Sequence, residues 1–227
     1  MKHTQLMSRL SLLCVLMVTL LLSACTSDDT AEDIRHASLE DIHTVHIDHG
    51  STPLTLEVAD VDSLKASLLL PRGGEGIIVD ESQKSLNIRL NSDISRLINL
   101  GKKPRLHVVI PASFERRVVV KGSSGSVTGR ELRSHSLHIE GKSGGILLEY
   151  AELNQDLNVS VHSGNVRLRL ADSEPDASWR LQSSSGRRSV AFPLDGQREQ
   201  KRRTEGTTGS GSVHVSIETK SGSITVE

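Results

Sequence analysis

Through most of the chain, apolar residues alternate with polar ones in short runs broken by Gly, Ser, Asn and Asp, and no long window carries a 3.6-residue period. HTVHID, PLTLEV, GIIVD, SLNIRL, RLHVVIP and RRVVV all alternate with period two, which predicts strands with one face turned to a core. The stretch SRLINLGKKP breaks the alternation and reads as a loop or a single helical turn.

The second half adds a longer period. Ser-Gly pairs fall at Ser124-Gly125, Ser143-Gly144, Ser163-Gly164, Ser185-Gly186 and Ser221-Gly222, with serine spacings of 19, 20, 22 and 36 residues. Aligned on each serine, the positions six and four before it and three and five after it are apolar in eighteen of twenty cases, the misses being Gly129 and Arg188. An apolar content of 36% predicts about seven. Each repeat therefore reads as strand, corner, strand and polar connection, with glycine admitting a corner backbone that a Cβ would oppose. Two strands per repeat of about 20 residues, each with one apolar face, is the pattern of a stacked solenoid whose rungs bury that face on their neighbours.

The expected fold is all-β: a right-handed β-solenoid or β-helix-like repeat over residues 112–227, preceded by an irregular β-rich part over 41–111. An antiparallel meander or sandwich is the alternative, since it explains alternation and Ser-Gly turns but not their near-constant spacing. The 36-residue gap contains LDGQREQKRRTEGTTGSG, read as a polar insertion over 195–210. Ser221 is then the corner of a last rung with Ile224 and Val226 inward, and the outer edge of that rung is expected to be covered by the insertion or offered to another chain.

The N-terminus changes the setting. Lys2 and Arg9 precede a run from Leu10 to Leu22 that is apolar except for Ser11 and Thr19, long enough for a signal-peptide core and short for a membrane span. Leu22-Ser23-Ala24-Cys25 follows, which has the form of a bacterial lipobox with cleavage between Ala24 and Cys25 and diacylglycerol on the Cys25 thiol. Residues 1–24 are thus a lipoprotein signal and 25–40 a lipidated acidic tether, two acyl chains being enough for stable attachment. Cys14 leaves with the leader and Cys25 carries lipid, so the exported domain has no disulfide. Past residue 24 there are 25 basic and 28 acidic residues, a nearly neutral balance that does not mark the whole domain as a polyanion binder.

The runs LHVVIPASFERRVVVKGSSGSVTGREL, SLHIEGKSGGILLEY, DLNVSVHSGNVRLRL, WRLQSSSGRRSVAFPL and GSGSVHVSIETKSGSITVE resemble the putative-adhesin β-strand-repeat family, a domain of unknown function in bacterial envelope proteins that include LiaG-type membrane-anchored proteins. The resemblance covers roughly Asp41 to Glu227. It implies a fold type and a place in the cell envelope, in adhesion, envelope maintenance or stress response, and brings no catalytic residue.

The residues themselves say little of chemistry. Gly141-Lys142-Ser143-Gly144-Gly145 matches the G-x-S-x-G elbow of hydrolases, but that elbow joins a strand to a helix and ILLEY after it reads as a strand. A P-loop is excluded because Ser136 stands where its first glycine belongs. His43, His46 and His49 recur every third residue, which on a strand puts neighbours on opposite faces and the outer two about 20 Å apart, so neither a metal site nor a cofactor is expected. With aromatics at 2% and three of the four rings in inward positions, nucleic-acid binding is not expected either. Arg167, Arg169, Arg187, Arg188, Lys201, Arg202 and Arg203 are candidates for a cationic patch facing anionic wall polymer or lipid headgroups. The functional reading is a non-catalytic lipoprotein displayed on the outer face of the membrane, with the bilayer at Cys25 and wall polymer, lipid or another envelope protein as partners. The alternative is a polysaccharide-active enzyme on a β-helix scaffold, which needs paired carboxylates on one face.

Overall fold

The computed structural model describes residues 30–71, 76–91, 104–133, 135–172 and 175–227. The leader, Ala24 and Cys25, and all of SRLINLGKKP except Pro104 lie outside those residues. No helix among the described residues is long and apolar enough to cross a membrane.

In chain order the strands are β1 (Thr30–Ala37), β2 (Thr44–Gly50), β3 (Leu54–Ala59), β4 (Leu64–Pro71), β5 (Ile77–Ser82), β6 (Ser85–Leu90), β7 (Arg105–Pro111), β8 (Arg117–Gly122), β9 (Val127–Leu132), β10 (Ser136–Ser143), β11 (Ile146–Tyr150), β12 (Leu157–Ser163), β13 (Val166–Leu170), β14 (Ala177–Ser185), β15 (Arg188–Val190), β16 (Asp195–Gln200), β17 (Arg203–Thr208), β18 (Val213–Ser221) and β19 (Ile224–Val226). They form two facing sheets. A rung is a strand of one sheet followed by a strand of the other, and rungs pair in parallel and in register.

Inward residues consequently stack in columns. Ile88, Ile47, Val120, Ile139, Val159, Ile217 and Leu181 stand side by side across one sheet. Leu106, Leu54, Val127, Ile146, Val166 and Ile224 do so across the other. All are buried, and each such side chain stabilises the fold by about 1.5–3 kcal/mol. The repeat solenoid expected from the corner spacing is the fold observed.

Several particulars differ from expectation. The N-terminal part is as regular as the rest: β2–β3 and β6–β7 are rungs of the same two sheets. Thr30–Ala37, read as tether, is a strand antiparallel to β4, because Asp33 turns inward and accepts the Gly76 and Ile77 amides at 2.7 and 2.8 Å. The polar insertion is the hairpin β16–β17, whose second strand pairs antiparallel with β14.

The order of rungs is also not the order of the chain. One sheet runs β1-β4-β7-β3-β9-β11-β13-β19-β15, the other β16-β17-β14-β18-β12-β10-β8-β2-β6-β5. The last rung, β18–β19, therefore sits inside the stack, between β12–β13 and β14–β15, and does not present the expected outer edge. Both sides of β18 are paired, and Val215 and Ile217 are as buried as any core residue.

The two apolar misses have separate causes. A Cβ on Gly129 would lie 2.7 Å from Leu132 Cδ1, and Glu131 has a φ of 51°, where a bulge sets Leu132 opposite Tyr150. Leu132 thus fills the space that position 129 leaves. Arg188 occupies its inward slot in the outermost rung, with its guanidinium reaching the hairpin.

Candidate anion-binding ridge

The corners form a continuous edge because their backbones are stacked. Ser143, Ser163, Ser221 and Ser185 stand in register. Gly144 N donates to Ser163 O at 3.1 Å, Gly164 N to Ser221 O at 2.9 Å and Gly222 N to Ser185 O at 3.0 Å. The glycines approach so closely that a Cβ on Gly164 would lie 2.0 Å from the Gly144 carbonyl oxygen, and one on Gly222 2.1 Å from that of Gly164. Their φ values of 154° and 150° independently disfavour any side chain. Gly186 stacks in the same way on Gly222, and Gly125 on Thr52 of the first rung's corner. Ser51 ties that corner to the next through Ser123 at 2.8 Å and Ser124 at 2.9 Å. Ser143 leads into strand β11, not into the helix that a nucleophile elbow needs.

Charges on the broad outer faces are largely paired. Lys121 meets Glu140 at 3.3 Å, and His138 bonds the same carboxylate at 2.8 Å. Those hydrogen bonds, from His138 first and then Lys121, hold Glu140 below its ordinary carboxylate range, the reverse of what a general acid requires. Arg180 pairs with Glu205 at 3.0 Å, and His107 with Glu57 at 2.9 Å.

The predicted arginine-lysine patch is not one surface. Arg167 and Arg169 stand on the outer face of the β13 sheet, where Arg169 bonds Glu227 and Glu149, each at 3.0 Å, and is raised above the ordinary guanidinium range by those bonds. Arg167 lies 3.8 Å from Glu227. Arg188 is no surface residue: its side chain is 7% exposed and donates to Thr204 Oγ1 at 2.9 Å and Glu199 Oε1 at 2.5 Å. The cause is its place on the inward face of β15, where only the hairpin's polar groups can satisfy it. Arg203 is drawn to Glu205 at 3.5 Å.

What remains is a smaller, more coherent set. Arg187, Lys201 and Arg202 are exposed at the corner edge of the outermost rung. Ser183 N donates to Arg202 O at 2.9 Å, so the β16–β17 turn lies level with the Ser185 corner. The same edge carries Lys142 and Lys220, which the sequence reading did not single out. Each immediately precedes a corner serine, so with His162 between them they form an outward column on neighbouring strands. The legible signal was the tripeptide Lys-Ser-Gly, which occurs at both corners. Among the described residues, Arg187, Lys201, Arg202, Lys142 and Lys220 have no ion-pair partner. The acidic residues nearest in register are Glu140, already engaged, and Glu218, which accepts a bond from Gln182 at 3.2 Å. Gln182, Gln200, Lys201, Arg202 and Arg203 line an open depression of about 480 Å³.

The remaining candidates disperse. His43 is exposed and 3.2 Å from Arg116, and His46 lies on the outer face. His49 is buried, bonds Thr52 O at 2.6 Å and is lowered by burial. Among the described residues no three His, Cys, Asp or Glu gather as metal ligands would. Trp179 and Tyr150 are buried, and Phe192 packs on Trp179 with ring centroids 5.5 Å apart.

A family model described as Toastrack DUF4097 matches residues 111–227. No curated protein matches the chain. A solved structure of a "putative cell adhesion protein" from Clostridium sporogenes is similar at 12% identity with a TM-score of 0.63, over 87% of this chain and 99% of that one. A "putative adhesin" from Bacteroides fragilis is similar at 12% identity over 88% of this chain and 99% of its own, with a TM-score of 0.39. The first likeness shows that the two-sheet architecture is shared.

Proposed function

The chain belongs to the Toastrack DUF4097 family, and on that premise we propose that it is a non-enzymatic, adhesin-like module held on the extracytoplasmic face of a bacterial membrane by lipid on Cys25. The observation that carries this reading is the start of the fold at β1. Thr30 follows Cys25 by five residues, so at most about 17 Å of extended chain separates the lipid from the first sheet edge. The β1 edge is then held within that reach of the bilayer. Two features support a binding role over a catalytic one. The carboxylates Glu140 and Glu218 are separated by Ser160 on the intervening strand, and Glu140 is held ionised by His138 and Lys121. The corner edge carries exposed cations with no ion-pair partner among the described residues, which suits contact with a partner and lacks a paired acid and base. The similar Clostridium sporogenes structure is that of a "putative cell adhesion protein", which agrees with a role in adhesion.

The test is fractionation of cells expressing the full chain or its Cys25→Ser variant. The wild-type protein should pellet with membranes and resist a carbonate wash, and the variant should be released. Retention of the variant in the washed pellet would remove the anchor and with it the display reading.

A further inference from the structure

We propose that the corner edge at the end of the stack remote from β1 binds a linear phosphodiester polymer, through Arg187, Lys201, Arg202 and Lys220, with Lys142 extending the track. The cations are arranged as a line. From Lys142 on β10, through β12, β18 and β14, to Lys201 beside β17 is four strand steps, about 19 Å at 4.8 Å per step. The line is one residue wide, a shape that matches a polymer strand.

Phosphate is favoured over other anions by the donors present. Arg187 and Arg202 each offer a planar fork that fits two phosphate oxygens. The corner amide ladder supplies a further donor: Gly144, Gly164 and Gly222 each donate to the next corner, but beyond Gly186 no further corner follows. The Gly186 amide is thus the open end of the ladder, next to Arg187 in the chain and level with the Lys201–Arg202 turn. The depression lined by Gln182, Gln200, Lys201, Arg202 and Arg203 gives one phosphate group a seat at the hairpin turn. Trp179 and Tyr150 are buried and Phe192 packs on Trp179, which leaves His162 as the ring on the track, and recognition falls to the anionic backbone of the polymer.

The choice of polymer over the anchoring membrane rests on the display reading above. β15 lies eight strand steps from β1, about 38 Å. Headgroup charge is screened over about 8 Å at physiological ionic strength, so with the β1 edge toward the bilayer the membrane that holds Cys25 exerts no useful field at Arg187.

The experiment uses the full chain in neutral detergent with three probes: poly(glycerol phosphate), the phosphate-free polyanion polygalacturonate, and glycerophosphoglycerol, the water-soluble headgroup of phosphatidylglycerol. The variant R187Q/K201Q/R202Q is compared with R167Q/R169Q, which removes paired arginines from the other face, and Trp179 emission checks that both are folded. Poly(glycerol phosphate) should bind wild-type protein, with affinity reduced about tenfold or more in the triple variant and less than about twofold in the double, and the salt slope should fall by up to about three. Equal losses in both variants, no loss in the triple, equal binding of polygalacturonate, or the single headgroup bound as tightly as the polymer would each overturn the proposal. Fractionation of Cys25→Ser reads the anchor independently of these affinities, so either idea can fail alone.

Discussion

Replacing Gly164 by alanine puts a methyl group where the neighbouring rung's backbone already stands. The new Cβ would lie 2.0 Å from Gly144 O and 2.9 Å from Gly144 C, so the rung must retreat by roughly 1 Å, a large fraction of a 4.8 Å strand spacing. Two inter-rung bonds cross there, Gly164 N to Ser221 O at 2.9 Å and Gly144 N to Ser163 O at 3.1 Å. Weakening both costs about 2 kcal/mol, and holding alanine in a region open only to glycine costs about 1–3 kcal/mol more. The sum, about 3–5 kcal/mol, is a substantial part of the 5–15 kcal/mol typical of a domain.

Two other glycines separate these causes. Gly196 has a φ of 58° with open space around its Cβ, so Gly196→Ala should cost about 1 kcal/mol from the left-handed backbone alone. A Cβ on Gly145 would meet nothing nearer than 4.0 Å, and its φ is not left-handed, so Gly145→Ala should change stability by less than about 1 kcal/mol. Urea unfolding followed by the emission of Trp179, the one tryptophan, gives all three values. If Gly164→Ala fell within about 1 kcal/mol of Gly145→Ala, close backbone stacking would not be what fixes glycine at the corners.

Other consequences are as specific. His135 is buried and pushed down to about 4 from 6.5, so its neutral form stabilises the fold above pH 6.5 and that contribution is lost as pH falls toward 4, about 3 kcal/mol in all. His135→Leu should flatten the pH dependence of the melting temperature over that window, and an unchanged profile would refute the assignment. Arg188→Ala should cost about 1–2 kcal/mol in urea unfolding, since its hydrogen bonds to Thr204, Glu199 and Gln200 go while the half-exposed Glu199 regains water. Deleting residues 213–227 removes a rung from inside the stack and strips partners from both β12 and β14. Circular dichroism should then show an unfolded chain, where loss of an end rung would leave a folded one.

How far the sequence discloses this structure depends on what each residue specifies. The inward slots were legible because Val, Ile and Leu at fixed offsets from Ser-Gly serve one purpose in every rung, and the strand pairs followed. The order of the rungs was not legible. Ile217 fits beside Val159 or Leu181 equally well, so periodicity fixes what a rung is and leaves open which rung it adjoins. The patch failed for a related reason: alternation marks Arg167 and Arg169 as outward but cannot reveal Glu149 and Glu227 beside them, on strands 20 and 58 residues away. Arg188 looked like surface charge because its partners come from a hairpin that polar composition had marked as loop. Lys142 and Lys220 were hidden in plain view, each read as part of a corner and not as a neighbour of the other.

The displaced rungs at the two ends have one physical cause. A stack of parallel rungs exposes an unpaired strand at each end, an invitation to uncontrolled pairing. An antiparallel strand emitted directly after a rung can close that end only if the rung it covers is outermost. At one end β4 and β5 cover β7 and β6, so β2–β3 lies inside them. At the other, β17 covers β14, so the returning chain must enter as β18 between β14 and β12. The edges left over are short or charged: β15 has three residues, and β1 turns Asp33 inward. At the remote end the capping hairpin also determines the ridge. Arg203 opposite Gln182 sets β17 in a register that brings its turn level with the Ser185 corner, which is what carries Lys201 and Arg202 to the corner edge beside Arg187. A two-residue slip of that hairpin would leave the cap paired but move both cations off the edge, so the register that closes the fold is also the register that assembles the site.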